Sequence, residues 1–354
     1  MKLLVLTRYG RLGASSRLRM MQYLPAFKAA GICTEVQSLL DDNYLLSIYS
    51  QSISLAQVAR NYWSRFRRLR QAERPDVIWL EKELLPWFPA TLERLLLPRG
   101  VPVVSDYDDA IFHNYDLHRG MMLRVVLGRK IDRVMARSAL VMAGNPYLAD
   151  RAHKAGATWV EIVPTVVDAD AYDTSPRREV DGRPRIGWIG SPSTWTQYML
   201  PMLPMLSNLA ERYGAALRVV GAGPRAEGNG IENLPWSEEG ESGLIQSMDI
   251  GLMPLDDSPW SRGKCGYKII QYMACGLPVV ASPVGVNAEI VEDGVTGFLA
   301  TTETEWGTAI GRLLSDPDLR HRMGMAGRRR MEEHYSLQIW GPRVASMLRK
   351  VAEQ

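Results

Sequence analysis

Lys264 and Lys268 stand at the start of a predicted amphipathic helix that Gly276 ends, and two cations at that place are parts of an anion site. The first turn of a helix leaves backbone N–H groups without intrahelical partners and carries the positive end of the dipole, so a loop that delivers it toward a ligand suits phosphate oxygens. A diphosphate fits this description. Gln271 lies one turn beyond Lys268 on the same helical face, where its amide can meet hydroxyls of a ligand whose phosphate meets the lysine. An apolar strand through Val279 and Val280 follows, then a second glycine loop at Gly285 leading to Glu289. A plainer reading stays open for each: a lysine solvated on a helix, or an amide that caps hydrogen bonds inside its own domain.

The run from Lys268 to Glu289 resembles the donor-binding segment of the family-4 glycosyltransferases, retaining enzymes of the GT-B fold. Their pattern is a glutamate, seven residues, a second glutamate, then Ala-Met-Ala-Cys-Gly-Leu-Pro-Val. This chain departs from it at both acids, with Gly263 at the first and Gln271 at the second. The resemblance therefore implies a lysine beside the phosphates at Lys268 and ribose contacts at Gln271, while Gly263 offers only backbone.

The same resemblance gives meaning to other loops. Leu3–Thr7 reads as a buried strand followed by Gly10, Gly13, Ser15 and Ser16 and a helical pattern from Arg17 to Ala30, with the glycine run either a ligand turn or a tight turn with a serine cap. In the family this loop lies on the acceptor side, which implies that role for Gly13. Asp106, Asp108 and Asp109 follow an apolar run, at the carboxyl end of a strand where open α/β sheets bind ligands. Asp108 falls where many relatives carry a histidine, and the cluster would lie near the transferred sugar and acceptor; acids capping the next helix are the alternative. Asp106-Tyr107-Asp108 also fits the metal-holding DxD of another glycosyltransferase fold, a weak pattern far from the phosphate features. After strand Arg185–Ile189, relatives carry an arginine and a lysine that this chain lacks, leaving Gly190 and Ser191 N–H groups and the hydroxyls of Ser193 and Thr194 for the phosphates. Gly221 and Gly223 form a further turn on the donor side; alone they suggest a dinucleotide, but the third glycine and the distal acid are missing.

These residues need two α/β domains to place them. The 354 residues, 46% of them hydrophobic, suffice for two cores, and apolar runs alternate with helical patterns throughout. The expected architecture is α/β of GT-B type: a Rossmann-like acceptor domain over 1–168, a linker over 169–184, a Rossmann-like donor domain over 185–335 facing it across a cleft, and a terminal helix over 336–354 crossing back. A net charge of +3 argues against a nucleic-acid partner, and three cysteines without metal-ligand spacing point to a reducing compartment. No run is long enough to span a membrane, so a cytoplasmic protein is expected. Arg60 to Arg70, interleaved with Trp63 and Phe66, reads either as the solvated face of a packed helix or as a peripheral membrane contact.

The expected function is transfer of a sugar from a nucleoside-diphosphate donor to a saccharide, lipid-linked or small-molecule acceptor, with Lys264, Lys268 and Asp108 at the reacting centre and no cofactor or metal. Two other readings fit fewer residues: a sugar-nucleotide epimerase using the Asp106, Asp108 and Asp109 cluster, and a degenerate nucleotide-binding module.

Overall fold

The computed structural model describes residues 1–49, 54–71, 73–174, 181–224, 226–228 and 230–354. Residues 175–180 of the expected linker, and 50–53 and 72 on either side of the Arg60–Arg70 stretch, lie outside the described residues. The chain forms two compact units, one of Met1–Thr165, Gly263–Cys265 and Gln338–Gln354, the other of Val166–Arg262 and Gly266–Leu337.

The first unit holds six parallel strands: β1 (Lys2–Tyr9), β2 (Cys33–Leu40), β3 (Val77–Glu81), β4 (Val103–Tyr107), β5 (Leu140–Ala143) and β6 (Val160–Ile162). They lie in the order β2-β1-β3-β4-β5-β6, and β3 is buried along its whole length, as suits its apolar run Val77–Leu80. The second unit repeats the plan with β7 (Arg185–Ile189), β8 (Ala216–Val220), β9 (Ile231–Leu234), β10 (Ile250–Met253), β11 (Val279–Ala281) and β12 (Gly297–Leu299). Their order is β12-β11-β10-β7-β8-β9, the dinucleotide-fold order 3-2-1-4-5-6 when counted within the unit. Neighbouring strand residues face opposite sides: Trp188 and Val219 join Trp195, Leu206 and Trp306 on one side, while Ile189 and Val220 join Ile269, Tyr272 and Met273 on the other.

The helix expected over Arg17–Ala30 forms as three pieces: a π-helical turn at Ser16–Met20, a 3-10 turn at Met21–Tyr23, and an α-helix at Leu24–Ala29. Pro25 in the first turn of the last piece explains the restart, because proline has no N–H to continue the ladder. The second unit does the same after β7, with π-turn Trp195–Met199 and 3-10 turn Leu200–Met202 before helix Leu203–Tyr213, where Pro201 and Pro204 interrupt. Strands β2 and β9 each lie at one edge of their sheet, with β6 and β12 at the opposite edges.

Candidate active site

In a doubly wound sheet the ligand site lies at the carboxyl ends of the strands where the strand order reverses. In the second unit that point falls between β7 and β10, which pair only through Ile186–Ile250 and Gly187–Gly251. Beyond that pairing the Tyr272 hydroxyl fills the gap, accepting from Ile189 N at 3.2 Å and donating to Leu252 O at 3.2 Å. Gly251 makes room for it, because a Cβ there would enter the Tyr272 ring. The helix Tyr267–Ala274 is thereby pinned to the split sheet, and Lys268, one turn earlier on the same face, reaches its carboxyl edge. The Lys268 ammonium sits 4.7 Å from the centre of the buried Trp188 ring, beside Gly190, where an added Cβ would come within 2.8 Å of it. The helix opens at Gly266, which has φ +63 and no side chain to cap the first turn.

The loops around this lysine differ in part from expectation. Gly190 N donates to Val220 O at 3.0 Å and Ser191 N donates to the Thr194 hydroxyl at 3.1 Å, so these N–H groups serve the sheet edge and a capping box rather than facing outward. The Ser193 hydroxyl lies 3.0 Å from that of Ser191. Gly221, at φ +78, passes so close to Gly190 O that a Cβ would collide with it; Gly223, at φ +72, accepts from Asn233 Nδ2 at 2.8 Å. Gln271 does not present its amide to an open surface. It is 2% exposed and donates to Glu241 Oε1 at 2.6 Å and to the Tyr172 hydroxyl at 3.1 Å, while Glu241 Oε2 accepts from Trp236 Nε1 at 2.7 Å. Gly285, at φ +54, leaves no space for a Cβ against Arg262 O, and Glu289 is exposed on the short helix Asn287–Ile290.

In the first unit the reversal lies between β1 and β3. The loop after β1 is folded by Gly13 N bonding Gly10 O at 3.1 Å, and Gly13 has no room for a side chain against Tyr9. Ser16 links both strands, accepting from Tyr9 N at 3.0 Å and donating to Glu81 Oε2 at 2.6 Å. Lys82, just past β3, has φ +62, a conformation that costs a non-glycine residue roughly 1–2 kcal/mol. Its ammonium meets the Ser15 hydroxyl at 3.1 Å, Asp108 Oδ1 at 2.8 Å and Asp109 Oδ2 at 3.7 Å. Burial alone would lift the Asp108 pKa, but the charge and hydrogen bond of Lys82, the Ser15 hydroxyl and the Arg19 charge together outweigh it and leave Asp108 below the usual carboxylate range. Asp109 goes the other way, raised by burial and by the Asp108 charge against the opposing pull of Lys82 and Lys264. Its side chain is 30% exposed, against 14% for Asp108.

Asp106 is not on the open side. Buried at 1% exposure, it holds the Arg19 guanidinium by bonds of 2.8 and 3.1 Å, and Arg19 reaches on to Val163 O at 2.7 Å. Its role is to fasten the π-turn to the sheet. The two carboxylates of the Asp106-Tyr107-Asp108 triplet thus have separate cations, and among the described residues no three His, Cys, Asp or Glu side chains are grouped to hold a metal. Residues 263–265 pack within this unit: Asn145 Nδ2 donates to Gly263 O and Lys264 O, both at 3.0 Å, and Cys265 Sγ donates to Asp108 O at 3.1 Å. Lys264 and Lys268 consequently belong to different units.

Residues 183–316, which span the second sheet, match the family model described as Glycosyl transferases group 1. The match covers less than half of the chain. Over 90 residues the chain is 39% identical to the GDP-mannose-dependent alpha-(1-6)-phosphatidylinositol monomannoside mannosyltransferase of Mycolicibacterium smegmatis, covering 23% of this chain and 22% of that protein. Over 91 residues it is 35% identical to the alpha-maltose-1-phosphate synthase of the same organism, covering 23% and 24%. The chain therefore spans about a quarter of the curated relatives it matches. Over its whole length it shares the fold of Anabaena HepE, solved with UDP-glucose, at a TM-score of 0.73 and 18% identity, covering 99% of this chain and 100% of HepE.

Within the matched segment, Tyr272 and Glu241 were missed as organising residues. Tyr272 sits one turn after Lys268, a visible signal; Glu241 lies 30 positions from Gln271, with no pattern to connect them. Outside it, Lys82 was missed although Glu81-Lys82-Glu83 puts three charges directly after an apolar strand.

Proposed function

We propose that the chain is a nucleotide-sugar-dependent glycosyltransferase acting with retention, its donor diphosphate held in the second unit by Lys268. The observation that carries this is the Lys268 ammonium beside Gly190, at the strand-order reversal of a segment that matches the glycosyl transferases group 1 model. In the same-face displacement, the bond from the sugar C1 to the phosphate oxygen breaks as a bond from C1 to the acceptor oxygen forms. The departing phosphate oxygen takes the acceptor's proton, so a strong protein base is not needed. Negative charge grows on the diphosphate, and a fixed ammonium at a helix start stabilises it. Lysines fill this role in the proposal without a metal, so activity should persist in chelator.

In the first unit, Asp108 and Asp109 divide the work in this reading. Asp108, held ionised by Lys82, sets the charge of the loop, and the more exposed Asp109 accepts a hydrogen bond from the acceptor hydroxyl, with Lys264 nearby in charge terms. The acceptor is a saccharide, a lipid-linked sugar or a small molecule. Peripheral contact with a membrane is proposed for the exposed arginines of the helix Leu55–Leu69.

Calorimetry with UDP, GDP, ADP and dTDP tests the donor assignment, with UDP first because HepE was solved with UDP-glucose. One nucleotide should bind selectively, and Lys268→Ala should weaken it and slow turnover roughly 10- to 150-fold, the worth of a charge-assisted bond of about 1.5–3 kcal/mol. Full activity of Lys268→Ala would end the proposal.

A further inference from the structure

We propose that the first unit carries a docking surface for an anionic lipid membrane, formed by the helix Met121–Leu127, the loop 84–89 and the arginine-rich helix Leu55–Leu69. It extends the peripheral contact proposed for the last of these, and rests on that contact for part of its basic rim. The helix Met121–Leu127 is inverted for a water-facing element: Met121, Met122 and Val125 are 71%, 83% and 80% exposed, and Val126 and Leu117 are also exposed. Soluble surfaces scatter single apolar residues but do not ordinarily gather them on one short helix.

The apolar surface continues into the loop after β3. Trp87 and Phe88 are exposed; the Trp87 ring lies 6.2 Å from His118, and Phe88 lies 5.7 Å from Tyr62 of the arginine-rich helix, whose Trp63 is 64% exposed. Trp87 holds φ +68, so the loop accepts strain to present it. Buried polar groups keep the loop in place: Leu85 O accepts from Lys130 Nζ at 2.5 Å, Leu85 N donates to Glu93 at 3.0 Å, and Trp87 N donates to the Tyr115 hydroxyl at 3.1 Å. A rigid loop offering an indole to solvent suits the interfacial depth of a bilayer, where amphipathic rings settle.

Charge selects the occupant. Residues 54–71, 84–92 and 117–131 contain no aspartate or glutamate, and Arg60, Arg67, Arg70, Arg119, Arg124 and Arg129 are exposed around the apolar surface. Arg119, Arg124 and Arg129 have no acidic partner among the described residues. Beside the helix lies a hollow of about 410 Å³ in which Arg151 pairs with both lining acids, Asp116 and Asp132, and Lys154 pairs with Asp150, leaving Arg124 and Arg129 as its cations. That is a place for a lipid phosphate. A second copy of the chain is disfavoured, because a two-fold contact would bring two such arginine-rimmed patches of like charge together.

Flotation of the full chain with phosphatidylcholine vesicles, with and without phosphatidylglycerol, tests this without donor or acceptor, so its result is separate from that of the transfer assay. The chain should float with the anionic vesicles. The Met122→Asp/Val125→Asp protein should bind at least about tenfold more weakly, by the loss of two inserted apolar side chains. Arg119→Ala/Arg124→Ala/Arg129→Ala should lose about a hundredfold at low salt and less at high salt, at roughly one kcal/mol for each arginine. All three side chains of that set and both of the first are solvent-exposed, so melting temperatures should match the parent; if one falls, quenching of Trp87 by brominated lipid, scored against Trp87→Phe, reads the contact directly. Absence of anionic-vesicle binding, equal binding to both vesicles, undiminished binding by the variants, or a change from dimer to monomer in Met122→Asp/Val125→Asp would overturn the proposal.

Discussion

Lys82 has to be charged where it stands, because its ammonium is surrounded by Asp108, Asp109 and Ser15 in a pocket nearly closed to water. Breaking a buried pair by removing one partner typically costs about 3–5 kcal/mol. Asp108→Asn leaves Lys82 with only the more distant Asp109, and should lose about that much stability at neutral pH. The pH dependence has a definite sign. A depressed carboxylate such as Asp108 stabilises the fold above its unfolded pKa, about 3.9, and the stabilisation is lost as pH falls through the lower folded value. Asp109 is raised, so the folded state binds more protons than the unfolded, and stability declines as pH rises from about 4 through the raised value. Asp109→Asn should remove that decline and be as stable as the parent or more so at pH 7. Urea melts of both variants between pH 3 and 8 check this; equal losses for the two at pH 7 would mean that they do not play opposite parts. At this scale the sequence showed the acids but not their division, which depends on a lysine 26 residues away at the end of a neighbouring strand.

At the scale of elements, Asn145 ties two pieces of chain together. Its Oδ1 caps the helix Pro146–Ala155, accepting from Leu148 N at 2.9 Å, while its Nδ2 holds the carbonyls of Gly263 and Lys264 at 3.0 Å each. Asn145→Ala loses both functions, about 1 kcal/mol for the cap and a further 1–3 kcal/mol for the buried carbonyls. Asn145→Asp keeps the cap but sets a second acceptor against those carbonyls. We expect faster amide exchange over 263–265 in both variants but a preserved helix only in Asn145→Asp; exchange unchanged at 263–265 would show that the segment is held without Asn145, as by the Cys265 bond to Asp108 O. The cap was readable in Asn145-Pro146, since asparagine before proline is a helix start. The second function was not, because it depends on a segment 118 residues downstream. The π-turns after β1 and β7 were hidden for a related reason: Ser16–Met20 has a helical pattern, and only the prolines that follow reveal that the ladder must be re-laid. Strand β2 escaped because Cys33–Leu40 mixes polar and apolar residues on a half-covered edge, whereas buried β7 stood out with the bounds it has.

For the whole molecule, two parallel sheets with different strand orders set different places for chemistry, and each reversal point gathered its own charged residue: Lys82 between β1 and β3, Lys268 between β7 and β10. Alternating apolar runs and glycine turns made both sheets legible, because strands covered on both faces must be apolar throughout. Which loop amides point outward was not legible, as those of Gly190 and Ser191 show. If the donor diphosphate binds in the second unit, ligand at a hundred times its Kd adds about 2.7 kcal/mol to the stability of whatever it contacts, slowing exchange there about a hundredfold. Amide exchange with saturating nucleotide should therefore slow over 190–194, 221–223 and 266–271, and stay at its unliganded rate over 10–16 and 82–88. Tyr272, whose hydroxyl closes the split between β7 and β10, should carry that protection into the sheet: Tyr272→Phe is expected to bind the nucleotide more weakly and to show less slowing at Ile189 and Lys268 than the parent. Protection confined to the loops after β1 and β3 would move the nucleotide to the first unit and leave Lys268 without a diphosphate to hold.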